Sequence, residues 1–361
     1  VENARKKILL LSRKYPPSVG GMQSYTRDLV RHLEGIYDVD KIVLGKGQAH
    51  LVWFLPYLFA ASVVRLMTRK YDLVYLCDAF LAPLGVVLKK MFKVKVMVTV
   101  HGLDITYDGF FYQRVVPGAV SVIDKVVAVS ASTMEECVKR GVKRERCVLI
   151  TNGIGPDSCL KGDVPGDFIK TVSGEAGCDL EGKKILLSVG RLVKRKGIDS
   201  FISDVIPALG DEYLYLIAGD GPEKKNILDT VSKCGAEDRV RLLGKVSGET
   251  LRQLYGVSHV LVMPNRRIDG DPEGFGIVAI EAAGSGLPVV ANAVDGIGEA
   301  VLNGKTGWLI HNNDREIFLR KIKDPGLDRG EVKKNSRVFF WENIIKSYEK
   351  EINALFEGAR P

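Results

Sequence analysis

Three features of this sequence predict an α/β fold built from two doubly wound domains. At 361 residues the chain is too long for one ordinary hydrophobic core, which points to two domains. Short runs rich in Val, Ile and Leu recur along it, separated by stretches with helical periodicity, the alternation expected of a parallel sheet covered on both faces. Glycine-rich and polar segments follow several of these runs, where open α/β sheets bind ligands.

The first run, Lys7-Ile8-Leu9-Leu10-Leu11-Ser12, reads as a buried parallel strand. A loop from Arg13 to Gly20-Gly21 leads into a helix with Leu29, Val30 and Leu33 on one face. Alone, the glycine pair is a turn. Leu51 to Met67 is strongly apolar, yet too short and too interrupted, by Pro56 and Arg65, for a membrane span. Its Trp53, Tyr57 and Phe59, with Arg65, Arg69 and Lys70 alongside, suit a helix lying on a membrane surface. A helix packed on the sheet fits equally well; the basic surroundings tilt the reading toward the membrane. Strands are expected at 72–76, 94–100, 125–129 and 147–150. Two of them end in polar residues, His101-Gly102-Leu103-Asp104 and Ser130. A lone His101 would be structural.

Residues 155–182 mix Gly, Pro and Asp with little periodicity and read as a linker. Lys184–Gly190 is the next strand, followed by a loop with four cations in six residues: Arg191, Lys194, Arg195 and Lys196. Such a loop is either a solvated basic turn or a grip for phosphate, Arg holding two oxygens and Lys acting as a point charge. The strand-then-loop unit repeats at Tyr213–Ala218 with Gly219-Asp220-Gly221, and at Val240–Val246. Val289–Ala291 is a strand, and Asp295–Glu299 a loop into a helix. Asn303–Gly307 suggests a phosphate loop but fails on spacing, so a turn before strand Trp308–Ile310 is expected. Asp269-Gly270-Asp271 imitates a metal-binding pair without further ligands and reads as loop. The chain closes with a helix, Trp341–Phe356, carrying Trp341, Ile344, Ile345, Tyr348, Ile352 and Leu355 on one side.

The central stretch is Pro272-Glu273-Gly274-Phe275-Gly276-Ile277-Val278-Ala279-Ile280-Glu281. His259–Met263, ended by Pro264, is a buried strand before it; Ile277–Ser285 is a helix, stopped by Gly286-Leu287-Pro288. Two glycines where the loop becomes the helix present backbone N–H groups and the positive end of a dipole, a seat for phosphate. Glu273 and Glu281 bracket this seat and suit hydroxyls. Taken singly they would be a cap and a solvated side chain. Together they describe a reader of a sugar–diphosphate–ribose ligand. The same residues also pass for a G-x-G-x-x-A dinucleotide fingerprint, with Asp295 near the acidic position, a rival weaker on the whole pattern.

Glu-Gly-Phe-Gly-x4-Glu after a strand ending in Met-Pro resembles the donor-site motif of retaining GT-B glycosyltransferases of family 4. The resemblance runs from about residue 7 to 356. It takes in Gly20-Gly21, the HGxD-like His101–Asp104, Asn152-Gly153-Ile154, Gly190-Arg191-Leu192 with Lys196-Gly197, Gly219-Asp220-Gly221, Leu243-Gly244-Lys245-Val246 and Trp341-Glu342. Asp295 and Gly298 depart from the family's G-G-[IV]-P-E. The resemblance implies a GT-B fold of two Rossmann-like domains with a cleft between them. Residues 1–160 would form the acceptor domain, joined by a crossing helix within 341–361, and residues 161–340 the donor domain. It implies transfer of a hexose from a nucleotide-diphosphate sugar to a lipid-linked or glycan acceptor, with retention and without metal or cofactor. Glu273, His101, Arg191 and Lys196 would be catalytic. Gly20, Gly21, Arg191, Lys196, Gly219, Val246, Gly274, Phe275, Gly276 and Glu281 would bind the donor, with GDP-mannose ranked ahead of UDP-sugars. Rivals of the same fold are a nucleotide-sugar epimerase, a phosphorylase, which needs pyridoxal phosphate and a lysine not marked here, and a non-catalytic binding protein.

Charge is uneven. Residues 1–160 hold 23 Lys/Arg against 14 Asp/Glu; of totals of 52 and 44, the rest hold 29 against 30. A basic half faces anionic lipid, nucleic acid or a phosphorylated substrate; with no nucleic-acid-binding motif beside it, nucleic acid is the weakest of these. The six cysteines (Cys77, Cys137, Cys147, Cys159, Cys178 and Cys234) are scattered and read as reduced thiols. The polar start, Val1 to Lys7, lacks the pattern of a secretory signal. The expected location is cytoplasmic, with a peripheral contact at the inner face of the cell membrane left open.

Overall fold

A computed structural model describes residues 5–18 and 20–357. Val19, in the loop before Gly20, and the last four positions of the expected crossing segment lie outside the described residues. Twelve strands among the described residues form two six-stranded sheets.

The first sheet alternates with helices in the order β1 (Lys7–Ser12), α1 (Gly21–Glu34), β2 (Asp38–Val43), α2 (Leu51–Thr68), β3 (Leu73–Leu76), α3 (Ala82–Phe92), β4 (Lys95–Val100), α4 (Leu103–Thr106), α5 (Phe110–Ser121), β5 (Lys125–Ala128), α6 (Ala131–Lys139) and β6 (Cys147–Leu149). Its strand order is β2-β1-β3-β4-β5-β6 and every pair is parallel.

The second sheet follows with α7 (Phe168–Ala176), β7 (Lys184–Val189), α8 (Ile198–Asp204), β8 (Tyr213–Ala218), α9 (Lys224–Lys233), β9 (Val240–Gly244), α10 (Gly248–Val257), β10 (Val260–Met263), α11 (Ile277–Gly284), β11 (Val289–Asn292), α12 (Ile297–Ala300), β12 (Gly307–Ile310), α13 (Arg315–Lys323) and α14 (Arg329–Asn335). The order is β12-β11-β10-β7-β8-β9, again all parallel. A last helix, α15 (Trp341–Glu357), ends the described chain.

By its contacts the chain divides into two compact units. The first holds the chain up to Gly153, Gly270–Phe275, and the chain from Phe339 on; the second holds Ile154–Asp269 and Gly276–Val338. Every apolar run read as a strand is one. The unforeseen strand is β2, whose Asp-Val-Asp-Lys-Ile-Val sequence lacks an apolar run because it is an edge strand, with only Ile42 fully buried. Residues 155–182 differ from the expected linker by forming α7. Phe168 and Val172, one turn apart, are buried there, and Gly177 closes the helix in the left-handed conformation.

In the first unit, the strands bury both faces. One face packs Leu9, Leu11, Val96 and Val98 under α2, α3 and α5 through Phe54, Leu58, Leu88 and Val116. The other packs Ile8, Leu10 and Tyr75 under α1 and α15, through Leu29, Leu33, Trp341, Tyr348 and Ile352. Each such side chain, fully buried, is worth about 1.5–3 kcal/mol relative to exposure. The amphipathic stripe of α15, at i, i+3, i+4, i+7 and i+11, is what ties the end of the chain to this sheet.

Candidate functional site

In the second unit the strand order reverses between β7 and β10: the chain runs outward through β8 and β9 on one side and β11 and β12 on the other. Such a switch point opens a crevice at the carboxyl ends of the strands. The loop after β7 enters it. Gly190 has φ +136°, and a Cβ there would stand 3.5 Å from Cε and 3.7 Å from Nζ of Lys196, so the lysine side chain lies over this glycine. Residues Lys194–Lys196 form one tight turn ended by Gly197 at φ +62°. A Cβ on Gly197 would come within 2.1 Å of the Pro264 carbonyl oxygen, so only glycine fits. Arg266 fixes the turn from β10: its backbone N–H donates to the Arg195 carbonyl (2.8 Å), Nε to the Lys194 carbonyl (2.9 Å) and Nη2 to Asp199 Oδ2 (3.1 Å). Lys196 therefore sits on a braced turn, where it lines a small cavity with Gly190, Pro264 and Asn265. Arg191 is exposed at the start of the same loop.

The loop after β8 closes on this one. A Cβ on Gly219 would stand 1.8 Å from the Gly190 carbonyl oxygen, and one on Gly221 2.3 Å from that of Leu192. The glycines here make room for backbone against backbone. The N–H of Gly219 donates to the Gly244 carbonyl at the end of β9 (2.7 Å), and Val246 follows, half-buried, before Ser247 caps α10.

Helix α11 opens at Gly276, which is left-handed (φ +86°) and offers no capping side chain. Glu281 lies in the second turn, half-buried, and Oε2 accepts from the Tyr255 hydroxyl on α10 (3.2 Å). Burial, reinforced by the Glu281 charge, holds the Tyr255 phenol well above its ordinary pKa, so it stays a donor. Burial first and then Glu281 push the Cys159 thiol up to about 12. Asp295 adopts φ +47° where the family motif has glycine, and pairs with Arg267 (3.4 Å).

In the first unit, the sheet order reverses at β1 and β3, and the loops after β1, β3 and β4 gather charged side chains. Gly20 and Gly21 stand at the entrance to α1. His101 follows β4. Its Nε2 lies 3.0 Å from the Cys77 carbonyl, which can only accept, so Nε2 carries a proton. Its backbone N–H donates to Asp104 Oδ1 (2.7 Å), and its ring meets Tyr25 edge-on at 4.7 Å. Asp104 Oδ2 also accepts from the Ala79 N–H (2.9 Å). Burial pushes the Asp104 carboxyl up, opposed chiefly by His101.

The segment Gly270–Phe275 belongs to this unit, and Gly274 reaches the histidine loop: a Cβ on Gly274 would come within 2.2 Å of the His101 carbonyl oxygen. Phe275 is buried, its ring 6.4 Å from that of Phe339, so its side chain anchors the loop that carries the half-buried Glu273.

Sequence reasoning missed several polar residues at these strand ends. Arg13 donates from Nε to Oδ1 of the buried Asp78 (3.0 Å), and its guanidinium lies over the Phe80 ring. Beside it, burial and then the Arg13 charge lower the Lys14 pKa. Arg13, Lys14 and Asp78 directly follow expected strands, which was the available signal. Tyr25 and Tyr255 sit inside helices and gave none.

Two family models describe this architecture. "Glycosyltransferase Family 4" matches residues 19–158 and "Glycosyl transferases group 1" matches residues 179–337. The chain belongs to the GT-B glycosyltransferases of family 4, and it is a transferase. It is 27% identical to an uncharacterized glycosyltransferase of Methanocaldococcus jannaschii, over 94% of this chain and 96% of that protein. It is 24% identical to the GDP-mannose-dependent alpha-(1-6)-phosphatidylinositol monomannoside mannosyltransferase of Mycolicibacterium smegmatis, over 88% of each. Among solved structures, HepE of Anabaena, in complex with UDP and glucose, superposes with a TM-score of 0.76 at 18% identity, over 97% of this chain and 100% of that one. Likeness of that order concerns the fold.

Proposed function

We propose that this enzyme moves a hexose from a nucleotide-diphosphate sugar to a lipid-linked or glycan acceptor, with retention at the anomeric carbon and without a metal. The observation that carries the reading is the braced basic turn, with Lys196 held over Gly190 at the switch point of the second sheet. Departure of the diphosphate builds negative charge, which Arg191, Lys196 and the backbone N–H groups at Gly274 and Gly276 offset best in a site screened from water. Glu281, oriented by Tyr255, holds the ribose hydroxyls; Glu273 holds the sugar hydroxyls and sets the anomeric carbon; His101 supports the sugar. Gly20, Gly21, Gly219 and Val246 shape the donor pocket, and Phe275 keeps its loop in place.

In the reaction proposed, the bond from the anomeric carbon to the diphosphate oxygen breaks. A bond to the acceptor oxygen forms on the same face, and the acceptor proton passes to the departing diphosphate oxygen. Atoms and charge balance with no protein nucleophile. GDP-mannose ranks ahead of UDP-sugars because the mannosyltransferase of M. smegmatis aligns over most of both chains. That relative and the basic half also support a lipid-linked acceptor at a membrane face.

The test is thermal stabilisation by GDP, UDP, ADP and their sugars, with and without EDTA; binding to the native state alone raises Tm. A shift with one nucleotide, insensitive to EDTA and lost in Arg191→Ala, supports the reading. No shift with any of them removes it.

A further inference from the structure

Of the seventeen large apolar side chains exposed among the described residues, fourteen lie between Val52 and Val122, roughly a fifth of the chain. Eleven of them lie on α2, α3 and α5. Helices α2, α3 and α5 cover the same face of the first sheet, each burying a narrow stripe into one core. Helix α2 buries Phe54, Leu58 and Ser62, yet its outward side is also apolar: Trp53 is 81% exposed and Met67 73%. A helix that packs on a sheet and faces water carries polar residues outward. On α5, Phe111 is 80% exposed beside Phe110, and Tyr107 precedes them. An exposed apolar surface of this extent marks an interaction face.

We infer that the outer face of α2, α3 and α5 is a docking surface for an anionic lipid bilayer, with the aromatic tip Tyr107–Phe111 inserted next to the site. This deepens the membrane reading given above. Two observations select a bilayer. Trp53, Tyr57 and Tyr107 are amphipathic side chains suited to the headgroup boundary. Residues 51–122 hold eight Lys/Arg against four Asp/Glu, and two of those acids, Asp78 and Asp104, are buried. Lys70, Lys90, Lys93 and Arg114 are exposed around the patch, the Arg114 guanidinium 4.5 Å from the Phe110 ring centroid. Cations around an apolar face match anionic headgroups around acyl chains.

Direction adds a mechanism. In a parallel sheet the crossover helices run opposite to the strands, so their N-termini lie at the carboxyl edge. Trp53 lies in the first turn of α2 and Phe110 and Phe111 begin α5, at the edge where β4 delivers His101; Lys70, Lys90 and Lys93 stand at the far ends of α2 and α3. A face laid on the bilayer this way brings the headgroup of a membrane-embedded acceptor to the His101 side of the sheet.

The experiment is flotation with vesicles of phosphatidylcholine alone or with phosphatidylglycerol, using the full chain, Trp53→Ser/Tyr57→Ser and Phe110→Ser/Phe111→Ser. Nucleotide-induced melting shifts are recorded for each. The expected result is flotation that requires phosphatidylglycerol and falls at least tenfold in each pair of substitutions, with the nucleotide shift intact. No flotation, or flotation indifferent to both pairs, overturns the proposal. So does a concentration-dependent dimer that the same substitutions break, since the face then covers a second copy. Vesicle binding without any nucleotide shift supports the surface and removes the proposed donor site; a nucleotide shift without vesicle binding overturns the surface and leaves the donor site standing.

Discussion

The hydroxyl of Tyr255 donates to Oε2 of Glu281 across 3.2 Å, joining two neighbouring helices through the one carboxylate of α11. The tyrosine is wholly buried and the glutamate half-buried, so the pair fixes the orientation of a group that meets solvent or ligand. Tyr255→Phe removes one neutral-to-charged hydrogen bond and leaves the carboxylate in place. Nucleotide affinity should fall about 3- to 10-fold, whereas Glu281→Ala should lose about 10- to 100-fold. Calorimetric titration with the nucleotide checks both. Equal affinity in Glu281→Ala and the wild type would remove Glu281 from the ribose.

Lys196→Ala should weaken donor binding about 10- to 100-fold, the turn that carries it staying braced by Arg266 and Gly197. Raising ionic strength should weaken the wild type more than the variant, since the lost contact is a charge. Arg266→Ala should cost stability as well as affinity, through the lost side-chain contacts to Asp199, Ser200 and the Lys194 carbonyl.

Two glycines should separate stability from catalysis. Gly219→Ala places a methyl 1.8 Å from the Gly190 carbonyl, a backbone clash that should destabilise by about 2–4 kcal/mol in urea unfolding. Gly274→Ala meets the His101 carbonyl at 2.2 Å, so the loop that carries Glu273 must shift. It should lower kcat at least tenfold by displacing Glu273, with a smaller loss of nucleotide affinity because the Gly274 N–H shares that loop. Wild-type kcat in that variant would sink the role given to Glu273.

His259, at the start of β10, supplies a pH dependence. Burial lowers its imidazole pKa, even though Nε2 donates to the Ile322 carbonyl (2.9 Å). The unfolded chain then binds the extra proton more readily than the native one. Stability is complete above the ordinary histidine range and falls as pH drops through about 6.5 toward the lowered native value. Unfolding free energy measured between pH 7.5 and 5 should decline, and His259→Gln should flatten that decline.

The fold was legible because both sheets are parallel and buried on both faces, so each interior strand is an uninterrupted apolar run. The edge strand β2 escaped for the same reason: water on its outer side allows Asp38, Asp40 and Lys41. Of the candidate site, the positions where backbone geometry demands glycine were legible, at Gly274, Gly276 and Gly219. Side chains that act through tertiary neighbours were not. Tyr25 lies 50 or more residues from Tyr75, Thr99 and Tyr348, whose hydroxyls it meets beneath His101, and no local spacing encodes that. Helix α2 reads identically whether it is packed or exposed; only the structure shows how narrow its buried stripe is.

The last helix gives the first core Trp341, which lies against Gly153 and stacks on His32, and Tyr348, hydrogen-bonded to Tyr25. A ribosome delivers β1–β6 early, but this unit has a bare face until residues beyond 340 emerge. The part made first is thus the last to be finished. A fragment ending at Gly153 will expose Tyr25, Leu29 and Leu33 rather than fold, and a chain cut before Trp341 will leave the same face bare.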